Sequence, residues 1–186
     1  GLRGSAVSVA RMRQGQPVLG VVFAPTAPDD AGDLFIWAEG MIPMRNGKPL
    51  MPIGPRPAPY EPLEGAPWPA QPASPKRYDH ATLIGLNEQA GDYAAHNHAI
   101  FAPAGVLAMP SIAYRLALAA AGEVDAAVSL TPGLDSYDLG AGHALLHAVG
   151  GVLIELDGTP ITHGQGRNFN GCIGGRPEIV EAVRKR

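Results

Sequence analysis

The residues of this chain best suited to chemistry lie in the run Tyr137-Asp138-Leu139-Gly140-Ala141-Gly142. One carboxylate stands there beside residues small enough for another backbone or a ligand to come close. At a helix N-terminus a carboxylate is favourable by itself, by up to about 1 kcal/mol, because it faces unpaired N–H groups. Asp138 is therefore expected either to cap a helix or to bind a metal ion, and its spacing alone favours the cap.

Other groups of polar residues indicate chemistry less strongly. His143 and His147 are four apart, the spacing of two zinc ligands on one helical face, but Ala144 stands where zinc peptidases need glutamate. A zinc site is the minor alternative there. The triplet His96-Asn97-His98 matches a nuclease motif in three letters only and is interpreted as a polar loop or helix end. The run Gly164-Gln165-Gly166 follows no phosphate-loop pattern and predicts a surface turn.

Composition excludes several classes of partner. The net charge is -3 with no cluster of Lys or Arg, so we expect no nucleic-acid polymer as a partner. No run of about 18 apolar residues occurs, so we expect no membrane span. Gly1 to Ser5 lack signal-peptide features, and one cysteine, Cys172, cannot form an internal disulfide. We therefore expect a cytoplasmic protein in which Cys172 packs in the core.

The first 50 residues are predicted to form antiparallel strands of a central sheet. Alternating residues at Ser5 to Ala10 indicate a strand, and Val18 to Ala24 a strand that returns beside it. Asp33 to Ala38 gives a third strand, and Asn46-Gly47 is typical of a tight turn. The strand at Ser5 to Ala10 is expected to expose a sheet edge.

A proline-rich connector is predicted at residues 51–80, and an α/β domain at 81–186. Eleven of the 19 prolines lie between Pro43 and Pro75, and each lacks the N–H that ladders and helices need. Tyr60, Leu63 and Trp68 are expected to pin this connector to a surface. The later segments are predicted to be alternating strands and helices: strands at 81–86, 124–130, 152–156 and 169–174, and helices at 112–121, 138–149 and 178–185, with part of 87–101 also helical. Ser111 is expected to cap the helix at 112–121, which is apolar apart from Tyr114 and Arg115 and is therefore predicted to be deeply packed, and Pro177 is expected to start the last helix.

The segment around Asp138 resembles the C-terminal signature of the inositol monophosphatase family. That signature is an aromatic residue, Asp, a variable residue, small residues, an apolar helix, then Gly-Gly and a strand, matching Tyr137 to Val152. The preceding helix, from Ser111 to Gly122, and the strand opening Val124-Asp125-Ala126 resemble the family's preceding elements. Upstream, Ala6 to Ala10, Pro17 to Pro25 and Arg45-Asn46-Gly47 resemble its central strands in the same order.

This resemblance implies a layered α/β fold of the αβαβα type and a magnesium-dependent phosphatase. By position Asp138 matches the family's C-terminal metal-binding aspartate, and hard cations such as Mg²⁺ or Mn²⁺ prefer carboxylate oxygens. Ser111 falls in a segment near the substrate, although Pro110 stands where the family usually has glycine. Ser129 or Leu130 holds the place of a glutamate that binds an inositol hydroxyl. The expected substrate is therefore a small phosphorylated molecule, namely a sugar, another polyol or a nucleotide with 3'- and 5'-phosphates.

The family's other metal ligands are missing from the sequence. They come from an N-terminal glutamate and an Asp-Pro-x-Asp-Gly-Thr motif, and neither occurs here; Asp29-Asp30 and Asp157-Gly158 are interpreted as turns. The chain thus looks like the C-terminal part of such an enzyme, completed by a missing N-terminal segment or a partner chain and expected as a homodimer. The alternative hypothesis is a non-catalytic fragment or binding module that keeps the fold without the metal cluster.

Overall fold

The structure is a computed structural model, and it describes residues 4–54 and 76–186. The predicted attachments of Tyr60, Leu63 and Trp68 lie outside the described residues. Among the described residues, no helix combines the length and apolar character that crossing a membrane requires.

The first sheet is an antiparallel meander of five strands in chain order. Its strands are β1 (Val7–Arg13), β2 (Gln16–Ala24), β3 (Asp33–Ala38), β4 (Met44–Arg45) and β5 (Lys48–Pro49). Asn46 and Gly47 join the last two strands, and both have positive φ, as the sequence predicted for a tight turn. Strand β1 is at the edge of this sheet, and the side chains of Val7 and Val9 are 59% and 54% exposed.

The second sheet is mixed. It contains β6 (Leu83–Leu86), β7 (Gly105–Ala108), β8 (Ala126–Ser129), β10 (Val152–Ile154) and β12 (Cys172–Gly175), in the order β10-β12-β8-β6-β7. Only the β6 pairings with β7 and β8 are parallel. A separate pair, β9 (Leu134–Asp135) and β11 (Asn168–Phe169), brings Asp135 opposite Asn168 beside the first residues of the next helix.

Two buried helices lie between the sheets. They are α2 (Ile112–Ala120) and α3 (Ser136–Ala148), and both contact β2 on one side and strands of the second sheet on the other. Their close approach depends on glycine: a Cβ on Gly142 would lie 2.5 Å from the Cβ of Leu116, and one on Gly20 would lie 2.6 Å from the backbone oxygen of Ala141. The apolar run that predicted a deeply packed helix is therefore confirmed for α2, every residue of which is buried.

The remaining helices cover the outer face of the second sheet. They are α1 (Ala94–Phe101), which follows a 3₁₀ helix at Glu88–Tyr93, and α4 (Pro177–Arg184). Phe101 joins Ile179, Val180 and Val183 in an apolar cluster with β6, β8 and β12. The order sheet, helices, sheet, helices is the layered α/β fold that the sequence predicted, and Pro177 occupies the first turn of α4 as expected.

Several element boundaries differ from those predicted. Helix α3 begins at Ser136 rather than Asp138, β1 begins at Val7 rather than Ser5, and the strand β7 was not predicted. The first residues of the predicted connector belong to the part of the chain that the structure describes. Pro52 and Ile53 are buried, and the N–H of Ile53 donates to the carbonyl oxygen of Val149 at 2.8 Å, so this part is anchored to the end of α3.

Candidate functional site

Asp138 lies in the first turn of α3 and forms part of a capping box. Its Oδ2 accepts a hydrogen bond from the backbone N–H of Asp135 at 2.8 Å, while the side chain of Asp135 accepts from the backbone N–H of Asp138. Two N–H groups at the start of the helix are satisfied in this way. Within the described part of the chain, Asp138 Oδ1 has no hydrogen-bond partner, so one carboxylate oxygen is held and the other is free.

Polar groups around Asp138 fix this helix start in place. Asn168 donates from Nδ2 to Asp135 Oδ1 at 2.7 Å, which ties β11 to the cap of α3. Tyr137 is mostly exposed, and its hydrogen bond to Asp135 and the nearby carboxylates raise the pKa of its phenol. Both roles predicted for Asp138 therefore remain compatible, because the cap occupies only one of its oxygens.

Ser111 and Ser129 line one cavity of about 240 Å³. Ser111 caps α2, as predicted, and its Oγ accepts from the N–H of Tyr114 at 3.3 Å. It has φ of +50°, a region that residues other than glycine seldom adopt and that is commonest at functional sites. Ser129, at the end of β8, is buried and accepts from the N–H of Thr131 at 3.4 Å. The tertiary structure thus brings together two serines that are 18 residues apart in the sequence.

The wall of this cavity also contains Arg115, which the sequence did not single out as a site residue. Arg115 is 2% exposed, and its Nη1 donates to the carbonyl oxygen of Met109 at 2.6 Å. Its Nε is buried and has no hydrogen-bond partner. The sequence feature that could have indicated a role for Arg115 is its charge, because it is the single cation in an otherwise apolar helix.

Asp138 is not part of the cavity wall, and the described residues contain no group of three or more His, Cys, Asp or Glu side chains placed to hold a metal ion. A hard oxygen ligand is the right donor for Mg²⁺, and Asp138 offers one such oxygen on a fixed helix turn. The described residues therefore fit one ligand of a magnesium site rather than a whole site.

The two histidines of α3 have structural contacts, His143 in the core and His147 at a half-buried position. Nδ1 of His143 lies 2.9 Å from Nε2 of His163, and both rings are buried. His147 contacts Trp37, with ring centroids 5.9 Å apart. Burial lowers the pKa of His143 to about 3, with a further contribution from His163, so the pair is neutral at neutral pH.

The other minor sequence candidates are structural as well. His96 and His98 are exposed on α1, and Asn97 between them donates to the carbonyl oxygen of Ala90. Gly164 to Gly166 lie in an exposed loop with a turn, as predicted. Cys172 is buried in β12, and burial raises the pKa of its thiol to about 12. The prediction that Cys172 packs in the core is confirmed.

The buried carboxylates elsewhere are occupied by structural partners. Asp33 accepts from Arg45 through both oxygens, at 2.8 and 2.7 Å, and from the hydroxyl of Tyr114 at 2.8 Å. Asp125 accepts from the Lys76 ammonium at 2.7 Å and from the N–H of Leu83 at 2.9 Å. The Asp33 contacts join the first sheet to α2, and the Asp125 contacts join the start of β8 to β6 and to the chain that enters it, so both aspartates stabilise the fold.

Two sheets with buried helices between them define a layered α/β protein, and its candidate site includes a carboxylate in the first turn of one of those helices. The chain belongs to the inositol monophosphatase family, whose sequence profile matches residues 1–179. The resemblance read from the Asp138 segment is therefore confirmed. A comparison with curated proteins finds no match.

Solved structures share the fold. Inositol monophosphatase II of Staphylococcus aureus is 19% identical, with a TM-score of 0.70 over 98% of this chain and 60% of that chain. Inositol monophosphatase of Anabaena (Nostoc) is 21% identical, with a TM-score of 0.66 over 97% of this chain and 64% of that chain. The chain thus spans about 60% of the length of the staphylococcal protein. That protein has also been solved with inositol monophosphate and with 2'-AMP bound.

Proposed function

We propose that this chain is part of a magnesium-dependent phosphomonoesterase, with Mn²⁺ as an alternative cation. The observation that carries the proposal is the position of Asp138: it lies in the first turn of α3, and one oxygen accepts from the N–H of Asp135 while the other accepts no hydrogen bond from residues 4–54 or 76–186. Membership of the inositol monophosphatase family supports a phosphate ester as the substrate.

Asp138 would act as a metal ligand held in a fixed orientation. A divalent cation held by Asp138 and further ligands would supply polarisation of a phosphoryl group and activation of a water molecule. The capping box holds one oxygen of the Asp138 carboxylate and leaves Oδ1 without a hydrogen bond from the described residues. Further ligands would come from an N-terminal glutamate and an Asp-Pro-x-Asp-Gly-Thr motif supplied by another segment or chain. A homodimer remains our expectation.

Ser111 and Ser129 would bind the organic part of the substrate. Both line the cavity of about 240 Å³, and a hydroxyl can donate to or accept from a substrate hydroxyl. Serine in place of the family's glutamate favours a sugar, polyol or nucleotide phosphate over inositol phosphate. The staphylococcal protein, which has been solved with both a nucleotide and an inositol ester, indicates that this fold accommodates either class.

The test is phosphate release by the full-length gene product from a panel of sugar, polyol, inositol and nucleotide monophosphates. We expect turnover with Mg²⁺ or Mn²⁺ and none with a chelator. Asp138→Asn should lose most of the activity while Asp157→Asn, a matched change in an exposed turn, should retain it. Turnover by Asp138→Asn at the unmodified protein's rate would contradict the assignment.

A second candidate is a binding module that keeps the fold without hydrolysis. Residues 4–54 and 76–186 contain no group of three metal-binding side chains, and this observation favours the binding module. This candidate predicts binding of phosphate esters that does not change with Mg²⁺, and no phosphate release from any of them. The same panel, followed by calorimetry and by phosphate detection, separates the two functions.

A further inference from the structure

Arg115 is a buried cation that lacks an anionic partner in the described residues. Its side chain is 2% exposed, and its one hydrogen bond there goes to the carbonyl oxygen of Met109. Nε has no partner, and no ion pair joins Arg115 to a carboxylate of residues 4–54 or 76–186. Buried arginines are nearly always paired, because taking an uncompensated charge out of water is costly.

The groups around Arg115 do not neutralise it. Burial lowers the pKa of Arg115 to about 10, so the guanidinium stays charged at neutral pH. Its electrostatic neighbour is the thiol of Cys172, and burial raises the pKa of that thiol to about 12, so the thiol is neutral. The positive charge of Arg115 is thus left for a group outside the described protein residues.

The cavity beside Arg115 contains groups suited to an anion. The hydroxyls of Ser111, Ser129 and Thr131 line it, and each can donate to an anionic oxygen. Its wall also includes Glu88, whose carboxylate belongs to an exposed residue and can turn to solvent. A guanidinium with nearby hydroxyls is a common arrangement for carboxylate or phosphate recognition, because charge-assisted hydrogen bonds are short and strong.

We propose that Arg115 binds a second anionic group of the substrate, in the cavity shared with Ser111 and Ser129. The inference rests on the proposed phosphatase function, in which the reacting phosphoryl group is held at Asp138. Asp138 does not line this cavity, so the group at Arg115 is not the one that is hydrolysed. The preferred substrate class is therefore a polyol or sugar monoester that carries a further phosphate or carboxylate.

The first experiment measures binding by calorimetry without metal, using the full-length gene product. The ligand pairs are fructose 1,6-bisphosphate with fructose 6-phosphate, and 6-phosphogluconate with glucose 6-phosphate, which separate a phosphate from a carboxylate as the second group. We expect the member with two anionic groups to bind about 10- to 100-fold more tightly than its partner in one of the pairs. Arg115→Met should remove this preference, and Arg115→Lys should keep part of it.

Arg11→Met serves as the charge-matched control, because Arg11 is exposed on β1 and is not part of the cavity wall. The variants are first compared by thermal unfolding, and Arg115→Met is expected to fold because it replaces a buried charge by an apolar side chain. Equal affinity within both pairs, or a preference that survives in Arg115→Met, would overturn the proposal.

Phosphate release from the same four ligands distinguishes this proposal from the proposed function. If the Arg115-dependent preference is found but no ligand is hydrolysed with Mg²⁺, the phosphatase assignment fails and the anion site stands. If all four are hydrolysed with kcat/KM values that do not depend on Arg115, the phosphatase stands and the anion site fails. If the Arg115→Met substitution lowers kcat/KM only for the esters that carry two anionic groups, both the phosphatase and the anion site are supported.

Discussion

The carboxylate of Asp138 and the backbone N–H of Asp135 are joined by a hydrogen bond of 2.8 Å. The reciprocal contact, from the N–H of Asp138 to the side chain of Asp135, completes a capping box at the start of α3. A helix cap and a metal ligand are therefore not exclusive roles for this residue. The cap fixes the direction of the carboxylate, and fixed ligands are what a metal site requires.

Separate substitutions should distinguish the two roles of Asp138. Asp138→Asn keeps an oxygen that can accept from the N–H of Asp135 and loses only the charge, so its free energy of unfolding should fall by about 0.5 kcal/mol. Asp138→Ala removes the cap contact and should cost about 1 kcal/mol. Urea unfolding measures both effects. If the two variants were equally stable, the capping contact would contribute nothing measurable.

The activities of Asp138→Asn and Asp138→Ala should not follow their stabilities. Both variants lose the anionic ligand, so both should lower Mg²⁺-dependent phosphate release by about 100-fold or more, a larger effect than loss of an outer-shell contact. The measurement is kcat/KM of the full-length gene product over a range of Mg²⁺ concentrations. An activity loss confined to the less stable Asp138→Ala would indicate a purely structural residue.

The hydrogen bonds of Asp33 with Arg45 and Tyr114 should stabilise the packing of the first sheet against α2. Asp33→Asn removes the buried one of the two anions paired with the largely buried Arg45 guanidinium, which keeps its ion pair with the exposed Glu123, and should cost about 3 kcal/mol. Tyr114→Phe removes only the hydroxyl that donates to Asp33 and should cost about 1.5–3 kcal/mol. Denaturant unfolding gives both values. Glu39→Gln, which breaks an exposed ion pair with Arg13, is the control and should change stability little.

Helix α3 should not tolerate a methyl group at its closest approach to α2. In Gly142→Ala the new Cβ would lie 2.5 Å from the Cβ of Leu116, so backbone or side chain must shift, at about 1–3 kcal/mol. The measurement is the unfolding midpoint in urea. Gly91→Ala is the matched control, because its nearest neighbour would be the Cβ of Ala108 at 3.8 Å. A Gly142→Ala midpoint equal to that of the control would disprove tight packing here.

Acid should destabilise the protein through His143. Burial lowers the pKa of the folded residue to about 3, whereas the unfolded residue has the ordinary value of 6.5. Below pH 6.5 the unfolded state therefore takes up a proton that the folded state does not, and stability falls as pH falls from 6.5 toward 3. The contribution approaches about 1.4 kcal/mol per pH unit in this window.

The measurement is the free energy of unfolding between pH 7.5 and 5. His163 and His147 lie near His143, and burial lowers the pKa of each, so the test compares slopes rather than absolute stabilities. His143→Leu should flatten the slope, while His96→Ala, a change at an exposed histidine, should not. An unchanged slope in His143→Leu would assign the acid sensitivity to other groups.

Local patterns in the sequence determined most of the elements. Alternating residues gave the hairpin of β1 and β2, Asn46-Gly47 gave the tight turn between β4 and β5, and Pro177 gave the start of α4, because each depends on backbone preferences of neighbouring residues. Boundaries were less well determined. Helix α3 begins at Ser136 because its cap is formed by Asp135 and Asp138 together, a reciprocal contact that the run of small residues after Asp138 does not reveal.

The sequence by itself determined the fold class and the family and made Asp138 the candidate metal ligand, because these inferences depend on contiguous residues. The tertiary structure alone decided which side chains share a cavity. Ser111 caps one helix and Ser129 ends a strand of the second sheet, and only the packing of α2 against that sheet brings them beside Arg115. It also paired His143 with His163, because a contact across 20 residues depends on how the chain returns and not on local spacing.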